Sequence, residues 1–134
     1  MIFPFNGILT GYSNVVVTNN FKEEDNMSHE KYQSAIQALH QCMEACNHCY
    51  DACLKEEDIN MMKECIRLDR ECADICAYLE QSLVRGTPFA AELAQVCAGI
   101  CETCGEECKK HDHDHCQKCA DACFNCAEEC KKIA

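Results

Sequence analysis

Cys119, Cys123, Cys126 and Cys130 stand at i, i+4, i+7 and i+11. An α-helix turns by about 100° per residue, so those offsets return to within roughly 60° of one another. All four thiols share one helical stripe. The same CxxxCxxCxxxC spacing recurs in Cys42, Cys46, Cys49, Cys53 and in Cys97, Cys101, Cys104, Cys108. A fourth copy reads Cys65, Asp69, Cys72, Cys76, with a carboxylate in place of one thiol. The chain is therefore an internal repeat of helices, each with a cysteine face.

Sixteen cysteines in 134 residues signal a disulfide scaffold or a metal site. Helical neighbours at i and i+4 keep their Cβ atoms about 5–6 Å apart, whereas a disulfide wants about 3.5–4.5 Å. Bridges within a stripe are disfavoured, and bridges between facing helices stay geometrically open. A net charge of −11 with no basic stripe argues against nucleic acid and anionic membrane surfaces as partners. No apolar run is long enough to span a bilayer.

The first 26 residues carry no cysteine and lack both the basic start and the cleavage site of a secretory signal. Glu23-Glu24, just ahead of Met27, is encodable by a purine-rich ribosome-binding sequence. Translation is expected to begin at Met27, leaving residues 1–26 as an extra segment, disordered or not natively translated, and 27–134 as one Cys-rich domain.

Ser28 is the expected cap of a first helix, whose inward stripe is Tyr32, Ile36, Leu39 and the four cysteines from Cys42 to Cys53. Asp58 is placed to cap a second helix ending at Gly86, and Thr87-Pro88 opens a third. Asp114 with Gln117 resembles a capping box for the fourth. Short links between four long amphipathic helices favour an all-α, up-down-up-down four-helix bundle. Antiparallel stacking then gives four expected levels: Cys42, Cys76, Cys97, Cys130; Cys46, Cys72, Cys101, Cys126; Cys49, Asp69, Cys104, Cys123; and Cys53, Cys65, Cys108, Cys119. Cys116 falls just beyond the last. Ile36, Leu39, Leu79, Leu83, Phe89, Leu93 and Ile133 gather at the opposite end as an apolar plug.

Thiolates are soft ligands that select Cu(I), zinc and iron–sulfur clusters. Zinc and cubane clusters want closed sets of four, and a continuous tube of thiols does not divide that way. Exchanging a thiol proton for Cu(I) leaves the buried charge unchanged, whereas Zn(II) on four thiolates leaves an uncompensated −2. Many Cu(I) ions are the favoured filling. All sixteen cysteines are metal-ligand candidates, together with Asp69 as an oxygen ligand and His111 and His115 beside the Lys109 to Asp114 link. His113 lies in the same link with no assigned direction, and His40 and His48 fall off the stripe toward the surface. No Ser/His/Asp set or phosphate-cradling loop points to an enzyme. The competing reading is an iron–sulfur or other thiolate-metal redox protein, from the CxxC pairs Cys46/Cys49, Cys101/Cys104, Cys116/Cys119 and Cys123/Cys126.

The four stripes, the Thr87-Pro88 helix start and the Lys109 to His115 link resemble the bacterial Cys-rich four-helix-bundle copper storage proteins of the cytosolic type. The resemblance covers Met27 to Ala134. It implies cytoplasmic storage and detoxification of multiple Cu(I) ions along the bundle core, association into a homotetramer, and exchange of copper with a chaperone or small-thiol donor. Asp69 departs from a uniformly thiolate stripe.

Overall fold

The computed structural model describes residues 30–134. Residues 1–26, the expected Met27 start and the expected Ser28 cap lie outside the described residues. Four α-helices follow in order: α1 (Gln33–Leu54), α2 (Lys63–Val84), α3 (Ala90–Lys109) and α4 (Asp114–Lys131), with a 3-10 turn at Ile59–Met62 before α2. Backbone contacts run around a ring, α1 on α2 and α4, and α3 on α2 and α4. This is the antiparallel four-helix bundle that the stripes demand, because each helix has one face to bury and two neighbours to bury it against.

Local chemistry sets the helix ends. Gly86 takes φ 74°, a conformation open to glycine, and the Thr87 N–H then reaches back to the Ser82 carbonyl at 3.0 Å. The Thr87 hydroxyl accepts the Phe89 N–H at 3.1 Å, and α3 begins one residue later. Gly105 permits the close approach of α3 and α4: a Cβ there would meet the Phe124 ring at 2.8 Å.

Several sequence expectations need correction. Asp58 makes no side-chain cap; the 3-10 turn intervenes and α2 starts at Lys63. The Asp114/Gln117 capping box does not form, because the Gln117 amide donates to the Lys109 and His111 carbonyls at 3.1 and 2.6 Å and ties down the link instead. In the plug, Ile36, Leu39, Leu79 and Leu83 are buried and Leu93 and Ile133 half-buried, but Phe89 is 59% exposed. It sits at the α3 N-cap position, outside the helical register that would turn it inward.

The levels expected between α2 and α3 form: Cys76 lies 3.9 Å from Cys97, Cys72 3.6 Å from Cys101, Asp69 3.4 Å from Cys104 and Cys65 3.2 Å from Cys108. Cys101 also stands with Cys126, and Cys104 with Cys123, as expected for α3 and α4. The expected register of α1 against α4 does not form. Cys42 meets Cys72 at 3.7 Å and Cys123 at 3.8 Å, not Cys130, and Cys46 meets Cys119 at 3.6 Å, not Cys126. Cys49 and Cys53 meet Cys116 at 3.8 and 4.0 Å, so Cys116 belongs to the tube and not beyond it. Against α2, α1 keeps its expected levels: Cys53 lies 3.9 Å from Cys65, and Cys42 groups with Cys76, Cys46 with Cys72 and Cys49 with Asp69. The offset belongs to α4, which also meets α2 one step from expectation, at Cys72–Cys123 and Cys76–Cys126. The 3-10 turn after Leu54 packs on both α1 and α2, and its Met62 is fully buried.

Candidate metal centre

The stripes deliver their thiols to the bundle axis. All sixteen cysteines are buried with zero exposure, and none is in a disulfide. Among the described residues helix backbones meet chiefly around the ring, and thiols also meet across the diagonal: Cys72 lies 3.8 Å from Cys123 and Cys76 3.8 Å from Cys126. Three sulfurs around one metal with bonds of about 2.3 Å stand about 4.0 Å apart, and four in a tetrahedron about 3.8 Å. The sulfur spacing of the resting bundle suits either.

Membership of the sets separates these options. Cys42, Cys76, Cys101 and Cys126 form one group able to hold a metal, Cys42, Cys46, Cys72 and Cys123 a second, and Cys46, Cys104, Cys119 and Cys123 a third. Cys42, Cys46 and Cys123 each belong to two groups. Closed four-ligand sites need private ligands, so neighbouring groups can all fill only if thiolates bridge metals. Bridging suits low-coordinate, singly charged ions.

Burial pushes the Cys53 and Cys116 thiols up, Cys116 to about 12.

Asp69 faces the tube and is fully buried. Its Oδ1 accepts S–H contacts from Cys104, Cys108 and Cys119, each at 3.4 Å, and its Oδ2 one from Cys65 at 3.8 Å. Burial pushes this carboxyl up to about 11. It enters the group Cys49, Cys53, Cys65, Asp69 as an oxygen donor.

At the link end the structure brings His115 to the thiols. Its Nδ1 is 3.4 Å from Cys49 Sγ, 3.6 Å from Cys116 and 4.0 Å from Cys53, while its Nε2 is 2.8 Å from Glu56 Oε2. The carboxylate fixes the ring with one nitrogen facing the sulfurs, a common orienting device for a ligand histidine. His111 is placed differently, with its Nε2 2.9 Å from Glu107 Oε2. His113 stacks on His115 with centroids 5.3 Å apart, and His48, exposed as expected, stands edge-on to His115 at 6.5 Å. His40 is 51% exposed beside Glu44 and Glu80, as expected. Sequence reasoning missed Glu56 and Glu107. Neither lies on a cysteine stripe; Glu107 could have been found as the i,i+4 neighbour of His111, whereas Glu56 reaches His115 only through the fold.

Comparison with known proteins agrees with this geometry. Over 76% of this chain and 96% of the other, it is 54% identical to the Cu(I)-bound copper storage protein BsCsp3, with a TM-score of 0.74. A cytosolic copper storage protein from Streptomyces lividans, with five coppers, is 35% identical over 81% of this chain and 95% of the other, with a TM-score of 0.76. The uncharacterized cysteine-rich protein YhjQ of Bacillus subtilis is 56% identical over 45 residues, 34% of this chain and 42% of the relative's length. The family profile described as copper storage protein matches residues 28–134, the whole cysteine-lined bundle, so the chain belongs to the copper storage protein family.

Proposed function

We propose that this protein stores multiple Cu(I) ions on the thiolates that line its bundle core and thereby keeps copper from harmful reactions in the cytoplasm. The observation that carries the proposal is the sharing of Cys42, Cys46 and Cys123 between adjacent four-ligand groups. A core of bridging thiolates takes ions in series, and a neutral Cu(I)–thiolate pair avoids the cost of burying net charge. The ligands are Cys42, Cys46, Cys49, Cys53, Cys65, Cys72, Cys76, Cys97, Cys101, Cys104, Cys108, Cys116, Cys119, Cys123, Cys126 and Cys130, with His115 and Asp69 as nitrogen and oxygen donors. His111 serves at the mouth rather than in the core, given its contact with Glu107.

In this reading the protein binds and releases copper without catalytic turnover. A copper chaperone or small thiol supplies the ions, and the chain works as a homotetramer. Exposed Tyr78 and Val84 on α2, Phe89 just ahead of α3 and Val96 on α3 support self-association. No described helix is long and apolar enough to cross a membrane. The test is anaerobic titration of the reduced, metal-free protein with Cu(I) against a chromophoric competitor. The expected capacity is on the order of one ion per thiol. Saturation at about one to four ions, the behaviour of a few closed sites, would refute storage.

A further inference from the structure

Two of the groups able to hold a metal mix their donors: Cys49, Cys53, Cys116 and His115, and Cys49, Cys53, Cys65 and Asp69. They share the edge between Cys49 and Cys53, one helical turn apart on α1, whose sulfurs lie 3.7 Å from each other. Cys116 of α4 closes one triangle on that edge, at 3.8 Å from Cys49 and 4.0 Å from Cys53. Cys65 of α2 closes another, at 4.0 and 3.9 Å. Each triangle has a fourth donor of its own. His115 Nδ1 lies 3.4, 4.0 and 3.6 Å from the sulfurs of Cys49, Cys53 and Cys116. Asp69 offers a carboxylate oxygen within 4.8 Å of every sulfur in its group, with Oδ2 3.8 Å from Cys65.

These spacings are those of two tetrahedra joined along an edge. Around a tetrahedral ion with bonds of about 2.3 Å to sulfur and about 2.0 Å to nitrogen or oxygen, sulfurs stand about 3.8 Å apart, and a sulfur and a lighter donor about 3.5 Å. Both triangles match the first figure, and the His115 contacts straddle the second. Charge also favours the pair. Two divalent ions on four thiolates, one carboxylate and one imidazole carry a net −1 between them, whereas a single divalent ion on four thiolates carries −2 by itself. The sharing of two thiolates, and the replacement of two others by His115 and Asp69, removes the charge penalty that weighs against zinc elsewhere in the tube.

We propose that Cys49, Cys53, Cys65, Asp69, Cys116 and His115 hold a pair of divalent cations of the zinc class at the link end of the tube, bridged by the thiolates of Cys49 and Cys53. Mixed sulfur, nitrogen and oxygen donors in a tetrahedral set suit borderline divalent ions. Cys49 and Cys53 cannot serve this pair and Cu(I) together, so the pair belongs to the copper-poor protein and full copper loading expels it. The proposal holds whether or not the tube stores copper.

Co(II) is the probe, because sulfur ligation gives intense near-ultraviolet charge-transfer bands, a tetrahedral site gives strong visible bands, and a thiolate bridge couples the two electron spins. The reduced, metal-free full chain is titrated anaerobically at neutral pH and followed by absorption and electron paramagnetic resonance, alongside Asp69→Asn, Cys116→Ser and, as a surface control, His40→Ala. The first two ions should show both kinds of band, and at two ions per chain the paramagnetic signal should fall well below that of two isolated ions. Asp69→Asn and Cys116→Ser each take a terminal donor from one ion of the pair, so each should abolish the coupling and leave one tightly held ion with a full signal. The control should behave as the wild type. A full signal from two independent ions in the wild type would overturn the proposal, as would a first pair of ions without sulfur charge-transfer bands. So would a coupled pair that survives in both Asp69→Asn and Cys116→Ser, or no Co(II) binding at all.

Discussion

The buried carboxyl of Asp69 makes the metal-free fold sensitive to pH in a direction opposite to that of most carboxylates. Its folded value is pushed to about 11 from an ordinary 3.8, chiefly by burial. Below pH 3.8 both folded and unfolded chains hold the proton, and the group costs nothing. Above it the unfolded chain releases the proton while the folded chain keeps it. The folded state then binds more protons, and stability falls as pH rises toward 11. The slope is about 1.4 kcal/mol per pH unit, which accumulates to about 4 kcal/mol by pH 7.

Asp69→Asn removes the titration and retains the shape. The amide adds a donor among thiols, at a cost of about 1–3 kcal/mol if it goes unmatched. Urea unfolding of the reduced, metal-free protein at pH 5, 6 and 7 reads the effect. Unfolded thiols stay protonated through this window, and the histidines are common to both proteins, so the difference in slope isolates Asp69. The wild type should lose about 1.4 kcal/mol per unit more than the variant, with the variant the more stable at pH 7. Parallel slopes would show that the carboxyl is ionised in the fold and would refute the reasoning.

Gly105→Ala should destabilise the metal-free bundle by about 1–3 kcal/mol in the same assay, because the new methyl meets the Phe124 ring. Replacing His111, His113 and His115 by alanine should leave total Cu(I) capacity nearly intact while slowing loading and removal by a strong chelator in stopped-flow; unchanged rates would place uptake elsewhere. Asp69→Cys should raise Cu(I) capacity by a small increment, measured by competitive titration, since the side chain already touches Cys104, Cys108 and Cys119. Changing every cysteine to serine should abolish loading and weaken the fold, visible by circular dichroism, because buried hydroxyls without partners cost about 1–3 kcal/mol each.

The helical period of the cysteines carried most of the fold. It named the four helices, put Asp69 inside and set the levels of α1 on α2, of α2 on α3 and of α3 on α4. It did not set α4 against α1 and α2, where Cys42 meets Cys123 and Cys76 meets Cys126. Nor did any periodicity announce the 3-10 turn that buries Met62, a residue outside every stripe. The site was legible to the same degree. His115 was found because it adjoins Cys116 on the helix that carries the fourth stripe. The orienting Glu56 was not, because it lies 59 residues away and meets His115 only where two links converge. Gln117 was read as half of a local capping box, and the link carbonyls of Lys109 and His111 won that side chain instead.

The central claim is that one thiolate serves more than one copper ion, and copper X-ray absorption on the anaerobically loaded protein tests it most directly. Shared thiolates predict two or three sulfurs at about 2.3 Å around each copper, together with a resolved copper–copper shell that strengthens with loading. Four sulfurs around each metal with no metal–metal shell at any loading would mean isolated closed sites, and would contradict the account.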